Sequence, residues 1–235
     1  VDVSNPTSPT LAGSYNTASS AQCVSVIGNY AYVADDYNGL VILRTDIQNQ
    51  EPTEGSLVRV EGSLDVYLIK DGMKYRFTSP EALLWNGYSF DNVTNITSET
   101  LQSYRNGEDI SISQPIIDKY HALGGASFFG ASKGDGELTG EPDQDGNYCT
   151  YVNFEKGAIE CFAKGPNVGK AYAIFDPLRS KWASMGYAKS VLGYPIGDMS
   201  EERTSSKNTP YKYQLFTNGT QLGALEWNLN TNQVY

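Results

Sequence analysis

An internal duplication constrains the fold of this chain more than any other feature of its 235 residues. The segment IIDKYHALGGASFFGA (116–131) aligns with LRSKWASMGYAKSVLGYP (178–195), and a hairpin-like sequence follows each one. Self-similarity of this kind predicts two copies of one supersecondary unit, over residues of about 112–170 and 171–235. Each copy is expected to contain an amphipathic helix, a glycine-containing cap and a hairpin. The aligned pairs are Tyr120 with Trp182, Leu123 with Met185, Gly124 with Gly186, Gly130 with Gly193, Tyr151 with Tyr213, Phe154 with Phe216 and Glu160 with Glu226.

Residues 1–49 have a different pattern, in which short alternating runs are separated by turn residues. The runs LAGSY, CVSVIGNYAYVADD and GLVILRTDI, with tight-turn signals at Gly28-Asn29 and Asn38-Gly39, predict four short strands. The pattern VDVSNPTSPTLAGSY followed by VSVIGNYAYVADDYNGLVIL resembles the LVIVD repeat of secreted bacterial and archaeal proteins. The resemblance implies a β-propeller blade.

In that repeat GLVIVD runs directly into VSNPTSP, whereas here VDVSNPTSP opens the chain and GLVIL comes only at Gly39–Leu43. A single blade leaves two faces and an edge uncovered, which neighbouring blades normally bury. We therefore expect this segment to be covered by further blades of a longer propeller, by another copy of the chain or by another domain.

The middle of the chain, residues 56–111, follows a polar linker, QEPTEG, and predicts a small β-rich module. Its run LVRVEGSLDVYLIKDGMKYRFTS predicts strands joined by a turn at Asp71-Gly72. The sequences VYLI, DGMKYRF, WNGYSF and LQSYRNGEDI resemble small modules that occur in tandem in secreted bacterial proteins, often beside cell-wall hydrolases. The whole chain is thus predicted to be mainly β with minor α: one propeller-like blade, one small β-rich module and two helix-hairpin repeats.

The second C-terminal copy carries a further resemblance. Its sequence KWASMGYAKSVLGYP, followed by YQLFTNG and ALEW, resembles the LGFP repeat of actinobacterial and other cell-surface proteins. That family implies attachment to the cell wall or binding of its glycans. The first copy has FFGA where the second has LGYP, which weakens a binding role for the first copy.

Composition excludes several classes of partner. The net charge of -10 and the scarcity of Lys/Arg clusters argue against nucleic acid, whose phosphates need basic neutralisation. No run of about 18 apolar residues exists, so membrane insertion is not expected. A chain rich in Tyr, Asn, Thr, Ser and Gly suits an exported β protein, and an extracellular, cell-surface location is expected. Asn92, Asn95 and Asn218 begin Asn-x-Thr sequons and are candidate glycosylation sites.

Two cysteines flank the first hairpin sequence, CTYVNFEKGAIEC. If its strands meet at Glu155-Lys156-Gly157, Cys149 and Cys161 face each other and form a disulfide, which implies an oxidising compartment. In the second copy Tyr211 and Trp227 stand at these positions, and an aromatic pair is expected there. Cys23 is left over and is expected to be a buried apolar residue, with a partner outside the chain as the alternative.

No motif indicates catalysis. His121 lacks a Gly-x-Ser-x-Gly elbow and aligns with Ala183, so it is expected to be structural. Glu160 and Glu226 are the carboxylates that a glycosidase would pair, but duplicated positions more often report duplicated structure. The protein is predicted not to be an enzyme.

The loop GDGELTGEPDQDGNY is acidic, yet its spacing does not match an EF-hand, because Tyr148 stands where the loop requires glycine. We expect a solvated loop and no cofactor, with structural Ca²⁺ as the alternative. Its acidic residues are Asp135, Glu137, Glu141, Asp143 and Asp145.

Aromatic side chains are the remaining candidates for ligand contact, because the faces of aromatic rings pack on the C–H faces of sugars. The candidates are Trp182, Tyr187, Tyr194 and Trp227, of which Tyr187 and Tyr194 follow glycines and are expected to be the more exposed. The sequence predicts a non-enzymatic surface module that attaches to or organises the cell envelope, with an envelope glycan or another surface protein as partner. One alternative is a fibre subunit that self-associates through its N-terminal strand. Another is an accessory domain of a secreted cell-wall enzyme.

Overall fold

The computed structural model describes residues 14–27, 30–44 and 51–235. The contacts divide the chain into an N-terminal unit, Val1–Glu51, and a C-terminal unit, Pro52–Tyr235. Strands outnumber helices throughout, so the fold is mainly β with minor α, as predicted. Within the described ranges, no helix has the length and apolar character required to cross a membrane.

The N-terminal unit contains an antiparallel meander of three described strands in the order β1-β2-β3. The strands are β1 (Cys23–Ile27), β2 (Tyr30–Ala34) and β3 (Leu40–Arg44). A 3₁₀ turn at Asp36–Asn38 joins β2 to β3. The side chain of Asp35 is buried there and accepts hydrogen bonds from the Ser19 amide and the Asn38 side chain, both at 3.0 Å. The signal at Asn38-Gly39 therefore lies at a real turn, while the signal at Gly28-Asn29 and the opening VDVSNPTSP lie outside the described residues.

Both faces of this meander carry apolar side chains. Because directly paired residues share a face, Val24, Val33 and Val41 line one side, and Ile42 pairs with Tyr32 on the other. Several of these side chains are exposed: Val24, Val26, Ile27, Leu40 and Ile42. A sheet with two apolar faces is typical of a strand set that is covered on both sides.

The C-terminal unit begins with a five-stranded mixed sheet in the order β7-β4-β5-β6-β8, which forms the small module. Its strands are β4 (Leu57–Val60), β5 (Tyr67–Lys70), β6 (Met73–Arg76), β7 (Val93–Ile96) and β8 (Arg105–Asn106), with helices α1 (Pro80–Trp85) and α2 (Ser98–Ser103). The predicted Asp71-Gly72 turn joins β5 to β6, and both residues have positive φ. Ser79 caps α1 by accepting from the Ala82 amide, and Pro80 starts the helix.

The first repeat builds a four-stranded antiparallel sheet in the order β12-β11-β10-β9. Its elements are helices α3 (Gln114–Ala122) and α4 (Ala126–Phe129) and strands β9 (Leu138–Thr139), β10 (Tyr148–Phe154), β11 (Gly157–Lys164) and β12 (Ala171–Phe175).

The second repeat contains helix α5, a 3₁₀ turn at Tyr187–Lys189 and a second sheet, in the order β13-β15-β16-β17, with β14 also paired to β15. Its elements are α5 (Leu178–Ser184), β13 (Tyr194–Pro195), β14 (Arg203–Thr204), β15 (Pro210–Thr217), β16 (Leu222–Asn228) and β17 (Gln233–Val234).

The two repeats share their register. Tyr151 pairs with Glu160 in the first hairpin, and Tyr213 pairs with Glu226 in the second. A glycine with strongly positive φ follows each helix: Gly124 at 100° and Gly186 at 98°. The segment that precedes each hairpin also pairs with it at an equivalent position. Ser132 bridges to Phe154 in the first repeat, and Pro195 pairs with Phe216 in the second.

The first repeat's sheet is the middle layer of the C-terminal unit. One face, with Val152 and Ile159, packs against α3 and the small module. The other face, with Ala158 and Phe162, packs against α5 and the second sheet. Side chains on either face of this sheet are therefore buried.

The predicted disulfide is wrong. The first hairpin turns over two residues rather than three, so Cys149 pairs with Phe162 and Cys161 pairs with Thr150. A shift of one residue sends side chains to opposite faces of a strand. The two thiols accordingly lie in different cores, and both are free.

Two related expectations also fail. In the second copy Tyr211 pairs with Asn228 and Trp227 pairs with Lys212, so the predicted cross-strand pair of Tyr211 with Trp227 does not form. Cys23 is exposed rather than buried.

Candidate functional site

A cavity of about 490 Å³ lies between the first repeat's sheet and the helical part of the second repeat. Strands β9, β10 and β11 supply one wall, and α5, the 3₁₀ turn and β13 supply the other. Three of the four aromatic residues predicted to contact ligand line it: Trp182, Tyr187 and Tyr194.

Trp182 and Tyr194 form the buried part of this wall. Each is 1% exposed. The Trp182 Nε1 donates to the Gly193 carbonyl at 2.9 Å, and the Tyr194 hydroxyl donates to the Glu141 carbonyl at 2.7 Å. The expectation that Tyr194 is exposed is therefore wrong, because pairing of β13 with β15 draws its ring into the core.

Tyr187 is the exposed aromatic of the cavity, with 46% of its surface accessible. Its ring meets Trp182 edge-on, with centroids 5.1 Å apart. Its backbone has φ of 54°, in the left-handed region that favours glycine. The first repeat has Gly125 at the aligned position, with φ of 58°. The second repeat thus places a strained aromatic residue where glycine would suffice, which is typical of functional positions.

Glu160 lies beneath these aromatics and is 4% exposed. Burial raises the pKa of its carboxyl to about 8, and the charge of Arg179 offsets part of that rise. The Glu160 carboxyl makes no hydrogen bond or ion pair with any residue that the structure describes. A buried carboxyl with free hydrogen-bonding capacity therefore faces the cavity.

Arg179 projects from the first turn of α5 and also lines the cavity. One terminal nitrogen donates to the side-chain oxygen of Asn153, whose own amide nitrogen donates to Asp135 at 2.9 Å. The Arg179 Nε is buried and has no acceptor. At the rim, Lys189 and Glu141 form an exposed ion pair of 3.3 Å, which contributes little to stability.

The fourth candidate, Trp227, does not line the cavity. It is half-buried on β16, paired with Val234 of β17, and its Nε1 donates to the Asn232 side chain at 2.9 Å.

The three sequons differ in accessibility. Asn92 is exposed at the end of a 3₁₀ turn, and Asn95 is half-buried and accepts from Arg59 Nε at 3.2 Å. Asn218 is 6% exposed, donates to the Val191 carbonyl and accepts from Thr220 and Gln221. Glycosylation of Asn218 is thus incompatible with the folded structure, whereas Asn92 and Asn95 stay predictions.

The carboxylates of the acidic loop do not converge on one point but have separate partners. Asp135 binds Asn153, Glu137 accepts from Ser113, and Asp143 closes its own turn by accepting from the amides of Asp145 and Asn147. Glu141 is at the cavity rim. In the part of the chain that the structure describes, no three His, Cys, Asp or Glu side chains form a metal-binding group.

The residues weighed for catalysis lie apart. His121 is exposed and its Nε2 contacts Glu81 at 2.9 Å, outside the cavity. Glu226 is exposed on β16, in a different sheet from Glu160.

Sequence reasoning missed Arg179, and it weighed Glu160 only as a duplicated position and as a possible glycosidase carboxylate, not as a buried group at a binding site. One signal was present: the helix-cap alignment replaces Gly125 with Tyr187, a change that a purely structural repeat does not need.

The chain was also compared with known proteins. The LVIVD repeat family matches residues 1–17 and 18–54. These matches cover the segment that carries the blade-like meander, and they identify it as a propeller-like repeat. Among curated proteins, none matches this chain at a significant level.

Proposed function

We propose that this protein is a non-enzymatic, extracellular cell-surface module that binds envelope glycans in the cavity between its two C-terminal repeats. The observation that carries the proposal is Tyr187, an exposed ring held in a left-handed conformation at the mouth of a cavity. The LVIVD repeats at residues 1–54 and the resemblance of the second copy to LGFP repeats add to it.

The chemistry of the cavity suits a sugar. The exposed Tyr187 ring offers a surface on which the C–H face of a pyranose packs, and about 490 Å³ is within the range of small-molecule sites. Thr139 and Asn153 line the same space and provide polar groups for hydroxyls. The Tyr187 ring provides apolar contact area for the sugar, and the polar residues fix the orientation of the sugar through its hydroxyls.

Binding without reaction is the expected outcome. Glycoside hydrolysis needs two carboxyl groups on either side of the scissile bond. The second carboxylate that lines this cavity, Glu141, is an exposed rim residue already paired with Lys189. Release of reducing ends from a bound glycan would contradict this part of the proposal.

The test is a glycan array followed by calorimetric titration of the best ligand. Tyr187→Ala should weaken binding by about tenfold or more, since loss of one aromatic contact corresponds to about 1–3 kcal/mol. Phe128→Ala is the matched control, because Phe128 is also 46% exposed and lies outside the cavity lining. Equal losses in both variants, or no arrayed glycan bound, would overturn the proposal.

A second candidate is self-association through the N-terminal unit, favoured by the two apolar faces of its meander. Exposed apolar strands such as Val24–Val26 and Leu40–Ile42 invite contact with another copy. Light scattering and negative-stain microscopy of the native protein should then show ordered polymers. Deleting residues 1–9 should abolish them, and a monomeric wild-type protein would exclude this candidate.

A further inference from the structure

Two side chains that line the cavity have hydrogen-bonding groups that the described chain does not satisfy. Glu160 is 4% exposed and has neither a hydrogen-bond donor nor an ion-pair partner there. The Nε of Arg179 is buried without an acceptor. Buried polar groups normally have partners, and leaving one unpaired is costly.

Arg179 also lacks a compensating anion. Its side-chain hydrogen bond goes to the neutral amide of Asn153, and no carboxylate in the described ranges forms an ion pair with it. Glu160 lines the same cavity, and the charge of Arg179 acts on its carboxyl, but the two side chains form neither a hydrogen bond nor an ion pair. A ligand group that lies between them would give the Glu160 carboxyl a hydrogen-bond partner and the cavity-lining guanidinium of Arg179 a counter-ion.

We infer that Glu160 and Arg179 determine the specificity of this cavity by binding the carboxylate of an acidic sugar, with one carboxylate oxygen to each residue. The inference rests on the proposed function, because Tyr187 binds the sugar ring and these two residues select its charged group.

The protonation state of Glu160 makes this pairing favourable. Burial raises its pKa to about 8, so near neutral pH the carboxyl carries a proton and donates a hydrogen bond. Arg179 donates as well and keeps its positive charge. Two donors and one net positive charge match an anion with two acceptor oxygens, whereas a neutral hydroxyl leaves the charge uncompensated.

Above about pH 8, Glu160 ionises and repels the ligand carboxylate, so affinity should fall. No other group on the surrounding elements cancels this effect. Burial raises the pKa of Tyr151, Tyr172, Tyr194 and Cys149, which keeps these groups neutral as Glu160 titrates. The remaining charges at or beside this site are Arg179, Asp135 on the Asn153 amide, and the rim pair of Lys189 with Glu141. The titratable and charged groups that face Glu160 or line its cavity are Tyr151 and Cys149 on β10, Tyr172 on β12, Arg179 on α5, Tyr187 and Lys189 in the 3₁₀ turn, Tyr194 on β13 and Glu141 after β9.

The experiment is calorimetric titration of the full chain with glucuronate and with glucose, which differ at one carbon, at pH 6.5 and pH 9.5. Wild-type protein should prefer glucuronate by about tenfold or more at pH 6.5 and lose that preference at pH 9.5. Glu160→Gln, whose amide still donates, should bind glucuronate equally at both values. Arg179→Met should remove the preference at both. Glu226→Gln is the matched control, because Glu226 occupies the same register position in the second repeat and is exposed.

The outcomes separate this inference from the proposed function. Tyr187-dependent binding of both sugars with equal affinity, or a preference for glucuronate unchanged at pH 9.5 in the wild type, overturns the inference and leaves the glycan site standing. If neither sugar nor any arrayed glycan binds, both fail. Should Arg179→Met not fold, the pH dependence of wild type against Glu160→Gln decides alone.

Discussion

The two C-terminal repeats have a glutamate at the same position, but one is buried and the other is exposed. Glu160 pairs with Tyr151 and is buried, whereas Glu226 pairs with Tyr213 and is exposed. The local structure is equivalent, so the difference comes from what lies over the sheet. The second repeat packs against the Glu160 face of the first sheet. Repetition therefore reproduces the backbone and the register, while the order of stacking gives each copy its own chemistry.

The residues that follow the two helices also have equivalent backbones in different surroundings. Gly125 and Tyr187 share a left-handed backbone, but Tyr187 faces a cavity that only the neighbouring repeat completes. In the first copy, Gly125 lies against the Tyr120 ring, which an added Cβ would approach to 3.3 Å. A cavity with a strained aromatic rim exists at the junction between the copies because each contributes one wall.

The largest expected difference between the copies concerns the aligned helix aromatics. Trp182→Ala should lower the free energy of unfolding by about 3–5 kcal/mol, because it opens a cavity in the second core and leaves the Gly193 carbonyl without its donor. Tyr120→Ala should cost less, since Tyr120 is half-buried at the aligned position. Urea unfolding followed by circular dichroism measures both. A larger loss of unfolding free energy for Tyr120→Ala than for Trp182→Ala would contradict this prediction, because the first copy would then depend more on its helix aromatic than the second.

The second prediction concerns pH. Burial raises the pKa of Glu160 from its ordinary value near 4.5 to about 8 in the folded protein. Between these values the unfolded chain releases this proton and the folded chain keeps it. The free energy of unfolding should therefore fall as pH rises, by up to about 1.4 kcal/mol per pH unit from this group.

Glu160→Gln should remove that contribution, and Glu226→Gln should leave the wild-type slope intact. Urea unfolding at intervals from pH 4 to pH 9 tests both variants. If the two variants have the same slope, Glu160 is not held neutral by its surroundings, and the contrast between the copies is lost.

The third prediction exchanges the cap residues. Gly125→Ala should lower the free energy of unfolding by about 1 kcal/mol, because alanine is strained at φ of 58°. Tyr187→Gly should change it by less than about 1 kcal/mol, since relief of strain offsets the lost contact with Trp182. Thermal unfolding of the two variants provides the comparison. A large loss of stability for Tyr187→Gly would mean that the tyrosine is retained for packing rather than for a ligand.

The smallest effect is one of reactivity rather than stability. Burial raises the pKa of Cys161 to about 11 and raises that of Cys149 further, so neither thiol should react in the native protein. Alkylation without reductant should label Cys23 alone in buffer and all three cysteines in denaturant. Protection of Cys149 and Cys161 in denaturant would restore the disulfide and require a different register in the first hairpin.

Much of the fold followed from local pattern. The aligned helices, the positive-φ glycines at Gly124 and Gly186 and the Asp71-Gly72 hairpin are all present. The predicted equivalence of Glu160 and Glu226 is confirmed by their identical pairing. These features depend on a few neighbouring residues, which is why sequence alone reveals them.

The candidate site was only partly predictable. Trp182, Tyr187 and Tyr194 do converge on one cavity, but Tyr194 is buried and Trp227 lies elsewhere. Exposure depends on which elements pack over a side chain, and that is a property of distant parts of the chain. Arg179 was missed because nothing in the neighbouring sequence shows that its guanidinium lines a cavity.

The disulfide failed for a more local reason. Composition does not fix the register of the turn around Glu155-Lys156, yet a shift of one residue decides whether Cys149 and Cys161 lie on the same face.

By itself, then, the sequence determined a duplicated helix-hairpin unit, a blade-like segment at the N-terminus and a mainly β fold, because periodicity, turn residues and repeats act over short ranges. Only the tertiary structure decided which face of each hairpin is covered. Stacking the second repeat on the first removes Glu160 from water and leaves Glu226 in it. Because the free energy of a charge depends on its surroundings rather than on its position in the chain, identical positions in a repeat acquire different chemistry.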